Sequence, residues 1–286
     1  MLGSMIKSKY FYYLLLLYFV VLCWWLKLNY VSGIGTDEAY LFNWFYGLIA
    51  LSGSIYGFLF SAKFWGGWKS VVGRSMCFLS LGLLSQWLGL QVWTYYNIVV
   101  KTEVPYPSLA DLGYFGLVPF YSLGAFMLAL ATGVKFSLSS LKGKTIAVVI
   151  PLFAFGFAFM LFLRDIGFDL TNPLKVFFDI AYPLGEIIPV SIAFVILGLS
   201  SKFLGVRMRA RVYYLVFAFS FQFVTEYLFL YKAGNGTYVN GGLTDLMYAS
   251  SYLIMGLGLV AFRDHGDGSL KSQESGKITN GGAVTS

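Results

Sequence analysis

The chain has 286 residues, of which 58% are hydrophobic and 12% charged, with a formal net charge of +7. A soluble domain usually carries about 25% charged residues; here the apolar residues fall in long runs, so a polytopic membrane protein is expected and a soluble globular class is excluded. The basic residues are dispersed among loops, which argues against nucleic acid as a partner.

Eight apolar segments are predicted in chain order, at about 10–26, 40–62, 75–100, 112–133, 145–163, 175–200, 212–231 and 245–262. Each is near or above the roughly 17 residues needed to cross a hydrocarbon core. The first follows Lys7 and Lys9 and imitates a signal peptide. It ends in Cys23-Trp-Trp-Leu-Lys27 with no small-residue cleavage site, so a retained helix is expected.

The connecting stretches carry an orientation signal. Fifteen of the 20 Lys and Arg lie on one side, among them Lys7, Lys63, Arg74, Lys142, Arg207, Arg211 and Arg263; the other side holds Lys27, Lys101, Arg164, Lys175 and Lys232. By the positive-inside rule the basic side is cytoplasmic and both termini are inside. The expected architecture is an all-α integral membrane domain over residues 1–263, with eight transmembrane helices as four repeated helical hairpins. Residues 264–286, rich in Gly, Ser, Lys, Asn and Thr, are expected to form a disordered cytoplasmic tail.

One short pattern occurs four times: Asp37-Glu-Ala-Tyr40, Asp111-Leu-Gly-Tyr114, Asp179-Ile-Ala-Tyr182 and Asp245-Leu-Met-Tyr248. Each copy opens one apolar segment and follows another, which is why the hairpin reads as the repeating unit. At a helix N-terminus a carboxylate can cap exposed N–H groups and meet the helix dipole. The Tyr lies one turn deeper on the same face. Asp37, Asp111, Asp179 and Asp245 are therefore expected to be structural caps. If the even-numbered helices face one another, the positions seven residues after each Asp (Trp44, Val118, Glu186 and Tyr252) line a shared interior. Glu186 would then sit roughly 10 Å below Asp179, within the membrane.

Ionisable residues at that depth are costly and usually face the protein interior or water. Glu186 and Glu226 are the leading candidates for ligand binding or a proton-linked role. Gln222, one turn from Glu226, together with Gln86, Gln91, Tyr114, Tyr182, Tyr248 and Trp44, completes an expected polar, aromatic-lined cavity. The bland alternative is interhelical hydrogen bonding by the same Glu and Gln side chains. Cys23 and Cys77 fall toward opposite faces, and the only histidine, His265, is in the tail. No metal-binding spacing, cofactor motif or Ser/Lys-type dyad is present, so neither metal, cofactor nor enzymatic activity is expected.

Two segments carry a family resemblance. Pro105-Tyr-Pro-Ser-Leu-Ala-Asp-Leu-Gly-Tyr114 resembles the proline–serine–aspartate–tyrosine signature of multi-helix membrane sensor regions that precede prokaryotic diguanylate cyclase and histidine kinase domains. Asp179-Ile-Ala-Tyr-Pro-Leu-Gly-Glu186 is similar to a second motif of those regions, and Asp245-Leu-Met-Tyr248 matches a final copy. The resemblance implies a membrane-embedded sensory or ligand-binding module. The loops are too short to hold an output domain, so this reading is of a stand-alone sensor of the plasma membrane, with the lipid bilayer, an unknown small ligand and a separate cytoplasmic signalling partner. The competing expectation is a small-molecule or ion transporter, possibly proton-coupled, built from hairpin repeats.

Overall fold

A computed structural model describes residues 5–163, 171–199 and 204–263. The 264–286 tail and the 164–170 loop lie outside the described residues. Among the described residues eight helices are each long and apolar enough to cross a membrane. They are α1 (Lys9–Lys27), α2 (Asp37–Tyr56), α3 (Val71–Tyr95), α4 (Leu109–Ala131), α5 (Leu141–Ala158), α6 (Pro173–Leu199), α7 (Val206–Gly234) and α8 (Leu243–Phe262). α1, α2, α3 and α5 continue in wider π-type turns to Ser32, Ala62, Val100 and Leu163. Among the described residues there is no strand.

Several helices begin before the apolar runs that mark them in the sequence, because polar side chains start them. Ser70 and Ser140 accept from the N–H groups of Gly73 and Gly143, at 2.9 and 3.1 Å. Ser108 and Asp111 form a reciprocal capping box at the start of α4. Asn172 Oδ1 accepts from the Lys175 N–H at 3.1 Å at the start of α6. Hydropathy registers the first apolar residue, whereas the backbone turns at the cap.

Six helices close into a ring in the order α2, α3, α4, α6, α7, α8 and back to α2. α1 lies outside it against α2 and α8, and α5 lies outside it against α6. Their most apolar stretches are 17% and 6% buried, against 39% to 72% for the ring helices. α5 carries apolar residues all round, such as Leu152 and Phe153, and offers no polar face to a neighbour.

The ring helices approach closely through small residues, since hydrophobic burial alone does not drive association within lipid. α2 and α8 cross at Gly53 and Gly256, where a Cβ on Gly53 would stand 3.2 Å from the Gly256 Cα. Serine hydroxyls and an indole then bond to backbone carbonyls across the contacts. Ser61 donates to Leu259 O at 2.6 Å, Ser75 to Gly124 O at 2.8 Å, and Trp65 to Phe262 O at 2.7 Å. α1 is fastened at one end by Trp25 and Asn29, whose side chains donate to Gly242 O and Gly241 O at 3.0 and 2.9 Å.

The N-terminal ends of α2, α4, α6 and α8 share one end of the bundle with the 33–36, 101–108 and 235–242 loops. The opposite end carries Lys63, Lys69, Arg74, Lys142, Lys144 and the Arg207–Arg211 run. The first is the acidic end and the second the basic end.

Candidate functional site

The ring encloses a cavity of about 780 Å3, within the roughly 300–1,000 Å3 range of small-molecule sites. Its mouth lies at the acidic end, among Glu103, Pro105, Tyr106, Gly236 and Tyr238. Its walls come from all six ring helices, and its floor is reached at Gln86, Glu186, Glu226 and Tyr252. Among the described residues none from the loops of the basic end lines it. The cavity is therefore one-ended, running from one set of loops to the middle of the bundle.

Among the described residues six carboxyl groups line the cavity (Glu103, Asp111, Asp179, Glu186, Glu226 and Asp245) beside one ammonium, that of Lys175. Ten of the 29 lining residues are aromatic. Four of the carboxyls are held by defined donors. Asp111 Oδ2 accepts from the Ser108 N–H at 2.6 Å, and its Oδ1 accepts from the Tyr182 hydroxyl at 2.8 Å, joining α4 to α6. Asp179 accepts from the Tyr106 hydroxyl at 2.9 Å and from Lys175 Nζ at 2.8 Å. Asp245 accepts from the Gly241 N–H at 2.7 Å and the Tyr238 hydroxyl at 2.8 Å. With its amide oriented to satisfy the site, Asn43 adds a third bond to Asp245 at 3.0 Å. Glu226 accepts from Gln222 Nε2 and from the Tyr248 hydroxyl, both at 2.7 Å.

Glu186 differs from these four. It is 4% exposed, it lines the cavity floor, and among the described residues its carboxyl has no hydrogen-bond partner. A buried polar group normally finds one. Its orientation follows from α6, where Pro183 and Pro189 bracket it and two N–H groups are missing from the helix ladder. Gly185 beside it packs on Val118 of α4, where a Cβ would come 2.7 Å from a valine methyl. That contact turns the Glu186 face inward.

At the mouth the phenols are fixed as donors. Partial burial, then the bond to Asp179, holds the Tyr106 hydroxyl above the usual tyrosine range. Burial, then the Asp245 carboxylate, does the same to Tyr238.

The residues singled out from sequence separate into three groups. Glu186, Glu226, Gln86, Tyr114, Tyr182 and Tyr248 meet at the one cavity, with Asp111, Asp179 and Asp245. Gln222 lies behind Glu226: its oxygen accepts from the Ser251 hydroxyl and its nitrogen positions the carboxyl. Trp44 and Gln91 lie elsewhere. Trp44 is 43% exposed on the outside of α2, where Asn43 and Tyr46 supply the inward face instead. Gln91 points to the α2–α3 contact near Gly47, with its amide nitrogen unpaired.

The four Asp also differ in position. Asp111 and Asp245 stand in the first turn of α4 and α8 and accept from the backbone just before it. Asp37 is the first residue of α2, is exposed, and lies with Tyr40 in a separate surface hollow. Asp179 stands well inside α6, whose start is capped by Asn172.

Sequence reasoning missed Asn43, Tyr46, Lys175 and the two loop phenols, Tyr106 and Tyr238. Only Tyr106 carried a local signal, lying inside the Pro105-Tyr-Pro-Ser stretch. Comparison with known proteins finds no family model, no curated protein and no solved structure that matches this chain.

Proposed function

We propose that this chain is a multi-pass sensor module of the plasma membrane that binds a small molecule from the extracytoplasmic side, without turnover, and acts through a cytoplasmic partner. The observation that carries this reading is the one-ended cavity with an unpartnered carboxyl at its floor. A site open at one end and closed at the other can be occupied and vacated from the same side. Ring helices that line it also reach the basic end, where a partner would read their displacement. The distribution of Lys and Arg supports placing the basic end and both termini in the cytoplasm.

The corresponding ring places of α2–α4 and α6–α8, with α1 and α5 both outside, support descent from a repeated unit. The transporter reading rests on Pro183 and Pro189. They weaken the α6 ladder at the depth of Glu186, where a bend would be needed to open the cavity toward the basic end.

The test is native mass spectrometry of the gently purified protein beside a Glu186→Gln, Glu226→Gln double variant. The expected result is a small molecule retained by the wild type and lost from the variant. A species equally retained by both would place it outside the cavity and count against this reading.

A further inference from the structure

We infer that the cavity selects a small organic cation: an amine or quaternary ammonium on an apolar body, its charge received at Glu186 and its body held by the aromatic wall. This inference deepens the sensor reading and rests on it.

The first argument is charge. A chain of net charge +7 lines this cavity, among the described residues, with six carboxyls and one ammonium, and that ammonium is bonded to Asp179. Asp111, Glu186, Glu226 and Asp245 have no salt bridge among the described residues. An anionic ligand would meet this set of carboxyls with almost no compensating charge. A cation would supply what the site lacks.

The second argument is the difference among the carboxyls. Asp111, Glu226 and Asp245 are engaged by phenols, amides and backbone N–H groups, which hold them in place. Glu186 is buried to the same degree and has no such donor. The side chain that positions nothing and is positioned by no hydrogen bond is the one left for a ligand donor.

The third argument is the wall. Tyr114, Tyr182, Tyr248, Tyr252 and Phe178 surround the lower cavity. Aromatic faces attract cations, most strongly where water is excluded. Three of the four hydroxyls are already committed: Tyr182 to Asp111, Tyr248 to Glu226, and Tyr252 to Gln86 at 3.0 Å. The rings therefore present faces and edges, which suit an apolar body better than a sugar-like polar one. Among the described residues no three His, Cys, Asp or Glu side chains group as a metal ion requires, so an organic cation fits the site better than a bare metal ion.

The test measures binding to the purified full chain by its thermal shift. The probes are phenethylamine, benzyltrimethylammonium and tetraethylammonium, set against 2-phenylethanol and 3-phenylpropionate. At least one ammonium is expected to bind on the order of tenfold or more tightly than the alcohol, with the carboxylate weakest. Glu186→Gln, which removes the acid and keeps its shape, is expected to erase that preference while leaving the melting temperature of the unliganded protein close to that of the wild type. Equal binding of amine and alcohol would overturn the cation assignment and leave the sensor reading standing, since the cavity would still be occupied. Failure of every probe would also overturn the assignment. It would reach the sensor reading itself only if the double variant behaved like the wild type in native mass spectrometry.

Discussion

Gly113→Ala is expected to cost the protein more than about 3 kcal/mol and to lower its melting temperature by roughly 6–12 °C. A Cβ at Gly113 would fall on the Gly89 amide nitrogen, 2.5 Å from the Gly89 Cα and 3.0 Å from the Ser85 carbonyl oxygen. These are backbone atoms of α3 and cannot swing aside as a side-chain tip can. The two helices would have to separate, and two bonds across them would go as well: Ser85 to Gly113 O at 2.5 Å and Gln86 to Tyr114 O at 3.2 Å. Gln86 also receives Tyr252, so the cavity floor would shift with it. The control is Gly156→Ala on the peripheral α5, where a Cβ meets nothing within 4 Å. That change should be neutral or stabilising by up to about 1 kcal/mol, because alanine is the better helix former. Equal melting temperatures for the two variants would show that α3 and α4 are not packed backbone to backbone.

Asp245→Ala is the second change with a large expected effect, about 3 kcal/mol or more. Asp245 is 0% exposed, and its loss leaves the buried Gly241 N–H without its acceptor and takes one of two acceptors from the Tyr238 hydroxyl and from the Asn43 amide. It also unfastens the 235–242 loop at the cavity mouth, where Asp245 itself stands in the first turn of α8, and which anchors α1 through Gly241 and Gly242. Asp37→Ala, the same substitution in the first copy of the pattern, should stay within about 0.5 kcal/mol, since Asp37 is exposed. Thermal melts of the two variants side by side decide the matter. Comparable losses would mean that the four copies are equivalent in spite of their different surroundings.

That contrast marks how far the sequence reached. The repeated Asp-x-x-Tyr pattern identified three Asp and three Tyr that converge on one cavity, and counting seven residues inward located Glu186 and Tyr252 on its wall. In α4 the same count gives Val118, which packs against Gly185 of α6 instead of lining the cavity, and in α2 it failed because its starting point, Asp37, faces outward; a period taken from an exposed residue follows the exposed face to Trp44. The buried face of α2 runs instead through Phe42, Tyr46, Ile49 and Gly53. Helix existence was legible from hydropathy. Ring order was not, because which apolar helix stands outside depends on long-range pairing that no local period encodes. Nor did the sequence separate Glu186 from Glu226. Both are buried acids in apolar helices, and only the placement of Gln222 and Tyr248 shows that one is engaged and the other is not.

The central claim is that Glu186 is reached from the acidic end alone. It is tested most directly by Glu186→Cys in a Cys23→Ser, Cys77→Ala background, treated with a membrane-impermeant methanethiosulfonate carrying a quaternary ammonium. Modification is predicted when the reagent is applied to intact cells, and none when it is applied to inverted membrane vesicles. Labelling from the vesicle side would contradict a closed basic end and favour a through-pathway, and labelling from neither side would contradict an accessible cavity.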